Sequence, residues 1–121
     1  MATVTNITDD LAQIITVTIA NGASLSDAAD MKGHSLVALE MPAAWTAADI
    51  TFEASPDGVT YNDVHIEAGT ERTLTVAVDR FVLMDQTLWK GVRFLKVRSG
   101  TSSVPVNQLA ERSIRLYVKQ I

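Results

Sequence analysis

The chain has 121 residues, of which 47% are hydrophobic, and a formal net charge of −4. That length accommodates one domain with a single core, and that composition excludes a wholly disordered chain. With no cysteine, disulfides, thiol catalysis and thiolate metal sites are excluded together, a usage that fits a reducing compartment.

No apolar run approaches the roughly 20 residues of a membrane-spanning helix. The opening MATVTNITDD lacks a basic region followed by an apolar block, so no secretory signal is expected. Charge is distributed unevenly. Residues 1–71 hold eleven acidic residues and one basic residue, Lys32, whereas residues 72–121 hold three acidic and nine basic ones. Either the two halves interleave and neutralise each other in one sandwich, or they form opposed faces that favour head-to-tail packing of subunits. The molecule is acidic overall and its basic residues form no dense cluster, so nucleic acid is not an expected partner.

Residues 1–12 read as a polar N-terminal arm containing Asp9 and Asp10, either mobile or ordered only against a neighbour. Residues 13–121 then form one domain. In 13–20, Ile15, Val17 and Ile19 share a face opposite Thr16 and Thr18, the period-2 pattern of a strand. Asn21-Gly22 stops it. In 23–33, Leu25, Ala28 and Ala29 suggest a short helical turn that Gly33 ends. A second strand covers 34–41, with Val37, Leu39 and Met41 on one face, and Pro42 terminates it. The connection 43–49 carries Trp45, expected to close one end of the core.

The clearest motif is ITFEASPDGVTYNDV, residues 50–64. Ile50, Phe52 and Ala54 alternate with Thr51, Glu53 and Ser55, Pro56-Asp57-Gly58 forms a turn, and Val59, Tyr61 and Asp63 line the returning strand. Gly69 turns the loop 67–72. Residues 73–79 alternate, with Leu74, Val76 and Val78 inward, and 81–83 continue as an apolar segment. Residues 84–91 form a loop around Trp89. In 92–99, Leu95 and Val97 oppose Phe94, Lys96 and Arg98. A Ser/Thr/Pro/Asn loop spans 100–108, and in 113–119 Ile114, Leu116 and Val118 oppose Arg115, Tyr117 and Lys119. Seven or eight short strands without a long amphipathic helix predict an all-β, antiparallel two-sheet sandwich of the jelly-roll kind.

Catalytic signals are weak. His34 and His65 lack a spacing that would make a metal pair, so both are expected to be ordinary edge or surface residues. Asp57, Asn62 and Asp63 carry oxygen ligands, but DGVTYND lacks the alternating acidic pattern of a calcium loop, which leaves turn formation as their expected role. No G-x-S-x-G motif or phosphate-cradling glycine loop is present. No catalytic, cofactor or metal residue is therefore assigned, and the chain is expected not to be an enzyme. Of the aromatic residues, Trp45 and Tyr61 are assigned to the core and Trp89, beside Lys90, to an exposed contact.

The pattern A-W-x-x-A-x-I-x-F-x-A-S-x-D-G-x-x-Y-x-D-V, from Ala44 to Val64, resembles a segment of small virion proteins of tailed bacteriophages and prophages. S-L-S-D-A-A-D-M-K-G (24–33) and R-F-L-K-V-R-S-G-T (93–101) are similar to the same group, and the resemblance covers about residues 22–121. The S-x-D-G-x-x-Y hairpin also resembles discoidin-like, galactose-binding-fold sandwiches more loosely. The first resemblance implies a non-enzymatic structural component of a virion: a capsid decoration protein, or the base of a head fibre or spike. It would be made in the bacterial host cytoplasm and seated on the capsid surface. Its implied partners are the major capsid protein and copies of itself, without nucleic acid, membrane or cofactor. The expected interface comprises Trp89, Lys90, Asp9, Asp10, Val104 and Asn107. The alternatives are a carbohydrate-binding module for host surface glycans, with Trp89 as its exposed ring, and a tail or adaptor protein.

Overall fold

The computed structural model describes residues 2–6 and 12–120. Among them are nine strands: β1 (Thr3–Asn6), β2 (Ala12–Ile19), β3 (Ala29–Asp30), β4 (Ser35–Glu40), β5 (Ile50–Ser55), β6 (Asn62–Asp63), β7 (Phe81–Leu83), β8 (Phe94–Ser99) and β9 (Arg112–Lys119). One 3-10 helix, Gln86–Trp89, lies between β7 and β8. The strands form a five-stranded sheet ordered β1-β2-β9-β4-β7 and a four-stranded sheet ordered β3-β8-β5-β6. All pairings are antiparallel: β2 with β9, β3 with β8, β4 with β7, and β5 with β6. First pairs with last at every level, as when one long hairpin is rolled over on itself. This order defines a jelly roll, with β1 added outside β2.

Alternation explains which faces meet. Ile15 pairs with Leu116 and Val17 with Ile114, and all four are fully buried. Opposite them, Phe52 pairs with Val97 across β5 and β8, again with both side chains buried. Burying each such side chain contributes about 1.5–3 kcal/mol. Trp89 completes this layer by meeting Phe52 edge to face, with ring centroids 4.8 Å apart.

The two charge halves interleave. In the five-stranded sheet, β9 lies between β2 and β4, and in the four-stranded sheet β8 lies between β3 and β5. Each ion pair among the described residues joins the basic second half to the acidic first: Arg93 with Asp30, Arg115 with Glu40, and Arg98 with Glu53, Asp63 and Glu71.

Several local expectations fail for identifiable reasons. Residues 25–30 are not helical. Ser26 exchanges bonds with Val97, its backbone N donating to the carbonyl and its Oγ accepting from the amide. An open sheet edge thereby satisfies backbone that a single helical turn would leave costly. Residues 73–79 are not a strand, despite their alternation. Leu74 makes two backbone bonds with Ile50, but β5 begins there and offers no further rung. Leu74 is buried, Val76 is half-buried and Val78 is exposed. The returning arm of the 50–64 hairpin shortens to Asn62–Asp63, and Val59 is 82% exposed. His34 is buried, not at the surface, with Nδ1 3.0 Å from the Met31 carbonyl oxygen. Thr3–Asn6 pairs with β2 of the same chain.

Candidate functional site

Three regions carry chemistry beyond the core. The first is the outer face of the four-stranded sheet. Arg98 on β8 is 7% exposed although its side chain points away from the core. Its Nη2 donates to Glu53 Oε2 and Asp63 Oδ1, both at 2.6 Å, and its Nη1 reaches Glu71 Oε2 and Thr51 Oγ1 at 3.3 Å. Burial alone would lower the guanidinium pKa, but hydrogen bonds and charge from Asp63 and Glu53 outweigh it and raise it. Arg98 occupies the centre between the three carboxylates and ties the 62–72 segment to the sheet. Beside it, Lys96 Nζ lies 4.3 Å from the Tyr61 ring centroid, so Tyr61 is a half-exposed cover and not a core residue. Burial, then the charges of Asp57 and Glu53, push the Tyr61 phenol up.

The turn preceding this region is built as its sequence suggests. Gly58 has φ +79°, and Asp57 Oδ1 accepts from the amides of Val59 and Thr60 and from Ser55 Oγ. These bonds, led by Val59, hold the Asp57 carboxyl below the ordinary range.

The second region is a groove of about 700 Å³ between a small hairpin, 64–72, and the segment 87–92. The hairpin is closed by Arg72 N donating to the Val64 carbonyl and by Ile66 N donating to that of Thr70. On the other side, Asp85 caps the 3-10 helix through Thr87 N, and Ser35 Oγ donates to the Gln86 carbonyl. Val64, Ile66, Leu88 and Val92 form apolar walls. Trp89, only 2% exposed, lies at the base. Two donors of residues in this lining, Trp89 Nε1 and Arg72 Nε, are themselves buried and have no hydrogen-bond partner among the described residues. The other tryptophan differs, since Trp45 Nε1 donates to the Ala48 carbonyl at 3.1 Å.

The third region is the outer face of the five-stranded sheet. Leu83, Ala38, Tyr117 and Ile14 stand in one register row across β7, β4, β9 and β2. Val82 packs toward the core, which turns Phe81 and Leu83 outward, where they are 51% and 80% exposed. Phe81 meets the Tyr117 ring at 5.0 Å. β7 is also the terminal strand of its sheet, so an apolar patch adjoins an open edge.

The structure redistributes the expected interface. Trp89 is not an exposed contact: the capped 3-10 turn directs it inward against Phe52. Lys90 is exposed, as are Val104 and Asn107. Lys90 precedes β8 and the other two follow it, so a strand of roughly 17 Å separates them. Asp9 and Asp10 lie outside the described residues. Among the described residues, no cluster of three His, Cys, Asp or Glu side chains is arranged to hold a metal ion, and no helix is long and apolar enough to cross a membrane.

Sequence reasoning missed Gln108, which is fully buried at the end of the 100–108 loop. Its Oε1 accepts from Thr46 N and Arg112 Nε, and its Nε2 donates to the Thr46 carbonyl and Ser99 Oγ. One amide thereby fastens two loops to the sandwich.

Comparison with protein-family models, curated proteins and solved structures returns no match to this chain.

Proposed function

We propose that the chain is a non-enzymatic structural component of a tailed-phage or phage-like virion. In this reading it is a capsid decoration protein, or a head-fibre or spike base, bound to the shell exterior. The observation that carries it is the exposed apolar patch of Phe81 and Leu83 beside Tyr117, on an open edge of a small jelly roll. Solvent exposure of such residues is unfavourable in an isolated molecule and is relieved by docking. Jelly rolls recur in viral shells, and the sequence resemblance to small virion proteins points the same way. The occupant of the patch in this reading is the major capsid protein, with copies of the chain arranged by the symmetry of the shell.

Quantitative mass spectrometry of purified particles tests it. Copy numbers on the order of tens to hundreds per particle support a head location, whereas a handful supports the tail or adaptor alternative. Complete absence removes the virion reading.

The groove beside Trp89 favours a second reading, a glycan-binding module, because jelly rolls also serve as lectins and the groove sets the exposed polar residues His65 and Glu67 beside the apolar walls of Val64, Ile66, Leu88 and Val92. Its volume lies within the range of small-molecule sites, about 300–1,000 Å³.

A further inference from the structure

We infer that two copies of this chain pair through their β7 edges, antiparallel and in register about Val82, so that two five-stranded sheets join into one continuous sheet. This pairing is independent of shell docking, because it uses the edge of the sheet and leaves the outer face open.

The direction of the β7 backbone follows from its pairing with β4. Met41 N donates to the Arg80 carbonyl, and Met84 N donates to that of Val37. Both bonds fall in the register that sets Leu39 opposite Val82. Antiparallel strands alternate hydrogen-bonded and non-hydrogen-bonded pairs, so Arg80, Val82 and Met84 direct their backbone groups toward β4. Phe81 and Leu83 therefore aim theirs at the open edge, where neither has a backbone partner among the described residues. The same two residues carry the exposed apolar side chains. The other strands that end the two sheets, β1, β3 and β6, each include Thr, Asn or Asp, whereas β7 is Phe-Val-Leu. It has none of the charges or prolines that keep natural edges apart.

A second copy supplies what this edge lacks. A twofold axis through Val82 sets Phe81 of one copy opposite Leu83 of the other, twice. Both residues present outward backbone groups, so each of these pairs exchanges both of its N–H to carbonyl bonds. Both side chains lie on the outer face, so each ring meets a leucine across the new seam. Charge selects the antiparallel sense. Exposed Arg80 and Asp85 flank β7 at opposite ends, and neither forms an ion pair among the described residues. Antiparallel pairing brings the Arg80 end of each copy to the Asp85 end of the other, whereas parallel pairing would set two Arg80 side chains together. Asp79, at φ +58°, breaks the extended backbone before Arg80 and does not continue the seam.

Light scattering of the isolated chain over a concentration series is expected to show a reversible monomer–dimer transition near roughly 100 μM. Leu83→Pro removes an outward donor from each copy and leaves the β4 ladder intact, since that N–H takes no part in it. Dimerisation should weaken at least about tenfold, and by more than for Leu83→Ala, which keeps the N–H. The register is read by cross-linking, because the chain has no cysteine of its own. Across the twofold the two Val82 Cα atoms are expected about 4.5 Å apart, within reach of a disulfide. Mild oxidation of Val82→Cys should therefore give a covalent dimer. Leu83→Cys is more exposed but sits diagonally from its counterpart, at about 7–8 Å, and should cross-link more slowly.

A chain that stays monomeric to about 1 mM overturns the inference and leaves shell docking standing. Growth past the dimer overturns the twofold, since a head-to-tail contact such as β7 against β1 does not close. A dimer that Leu83→Pro fails to weaken, or faster cross-linking of Leu83→Cys than of Val82→Cys, overturns the β7 register. The cysteine variants decide the register even if Leu83→Pro does not fold.

Discussion

The outer faces of the two sheets invert the usual relation between polarity and exposure. On the four-stranded sheet, Thr51, Ser55 and Arg98 point away from the core, yet each is at most 7% exposed. The chain folds back over them and supplies Asp63 and Glu71. On the five-stranded sheet, Phe81 and Leu83 are apolar and remain in solvent. The first face has satisfied its own chemistry internally; the second leaves large apolar side chains in solvent. A polar surface is therefore not automatically the binding surface, nor an apolar residue automatically core.

The largest effect that would break this contrast comes from Arg98→Met. It leaves Glu53, Asp63 and Glu71 close together without their common counter-charge. Removing one member of a largely buried ion cluster should cost about 3 kcal/mol, measured as a fall in the urea unfolding midpoint. A neutral result would mean that the polar face contributes little to stability.

Gly100→Ala should be nearly as severe. Gly100 has φ +90°, and an added Cβ would meet the Val104 carbonyl oxygen at 2.5 Å and Val106 N at 2.7 Å. Both are backbone atoms and cannot rotate away, so a loss of about 2 kcal/mol is expected in the same assay.

Acidification should sharpen the contrast by a smaller amount. Asp57 is held below its ordinary 3.8 by amide bonds from Val59 and Thr60, and Asp30 by its hydrogen bond to Arg93. For a depressed carboxyl pKa, the unfolded chain binds more protons between the two values. The stabilisation is therefore complete above the unfolded value and lost as pH falls through the folded one. Unfolding midpoints should hold from neutrality to about pH 5 and decline below about pH 4. Asp57→Asn should flatten part of that decline, leaving the exposed apolar face unaffected.

The smallest expected effect on stability is that of Leu83→Asp. This side chain is 80% exposed, so the unfolding midpoint should move by no more than about 0.5 kcal/mol. A large loss would show that Leu83 is needed by the fold and would weaken its assignment to docking.

Much of the sandwich is legible from alternation, because Ile15, Val17 and Ile19, or Ile114, Leu116 and Val118, bury themselves wherever a second sheet is available. Residues 73–79 show the limit of that signal. Leu74, Val76 and Val78 alternate as well as any strand, but only Leu74 finds a partner with unpaired backbone. Trp89 shows a different limit, since a loop tryptophan beside Lys90 and Gly91 gives no local sign that Phe52, 37 positions away in the chain, will cover it. The Arg98 cluster is assembled from three separated segments, and its only trace in the sequence is the acidic first half set against a basic second half. The buried N–H groups of Trp89 and Arg72, unpaired among the described residues, leave no trace at all, because an unpaired N–H is defined by what fails to arrive.

The proposed role of the Phe81 and Leu83 face in shell docking is tested most directly by the occupancy of purified particles, comparing wild-type protein with a Phe81→Ser/Leu83→Asp variant. Copies per shell subunit, counted by mass spectrometry, should fall to background for the variant while its melting temperature matches wild type. A folded variant that occupies particles as fully as wild type would contradict the assignment of this face to the shell.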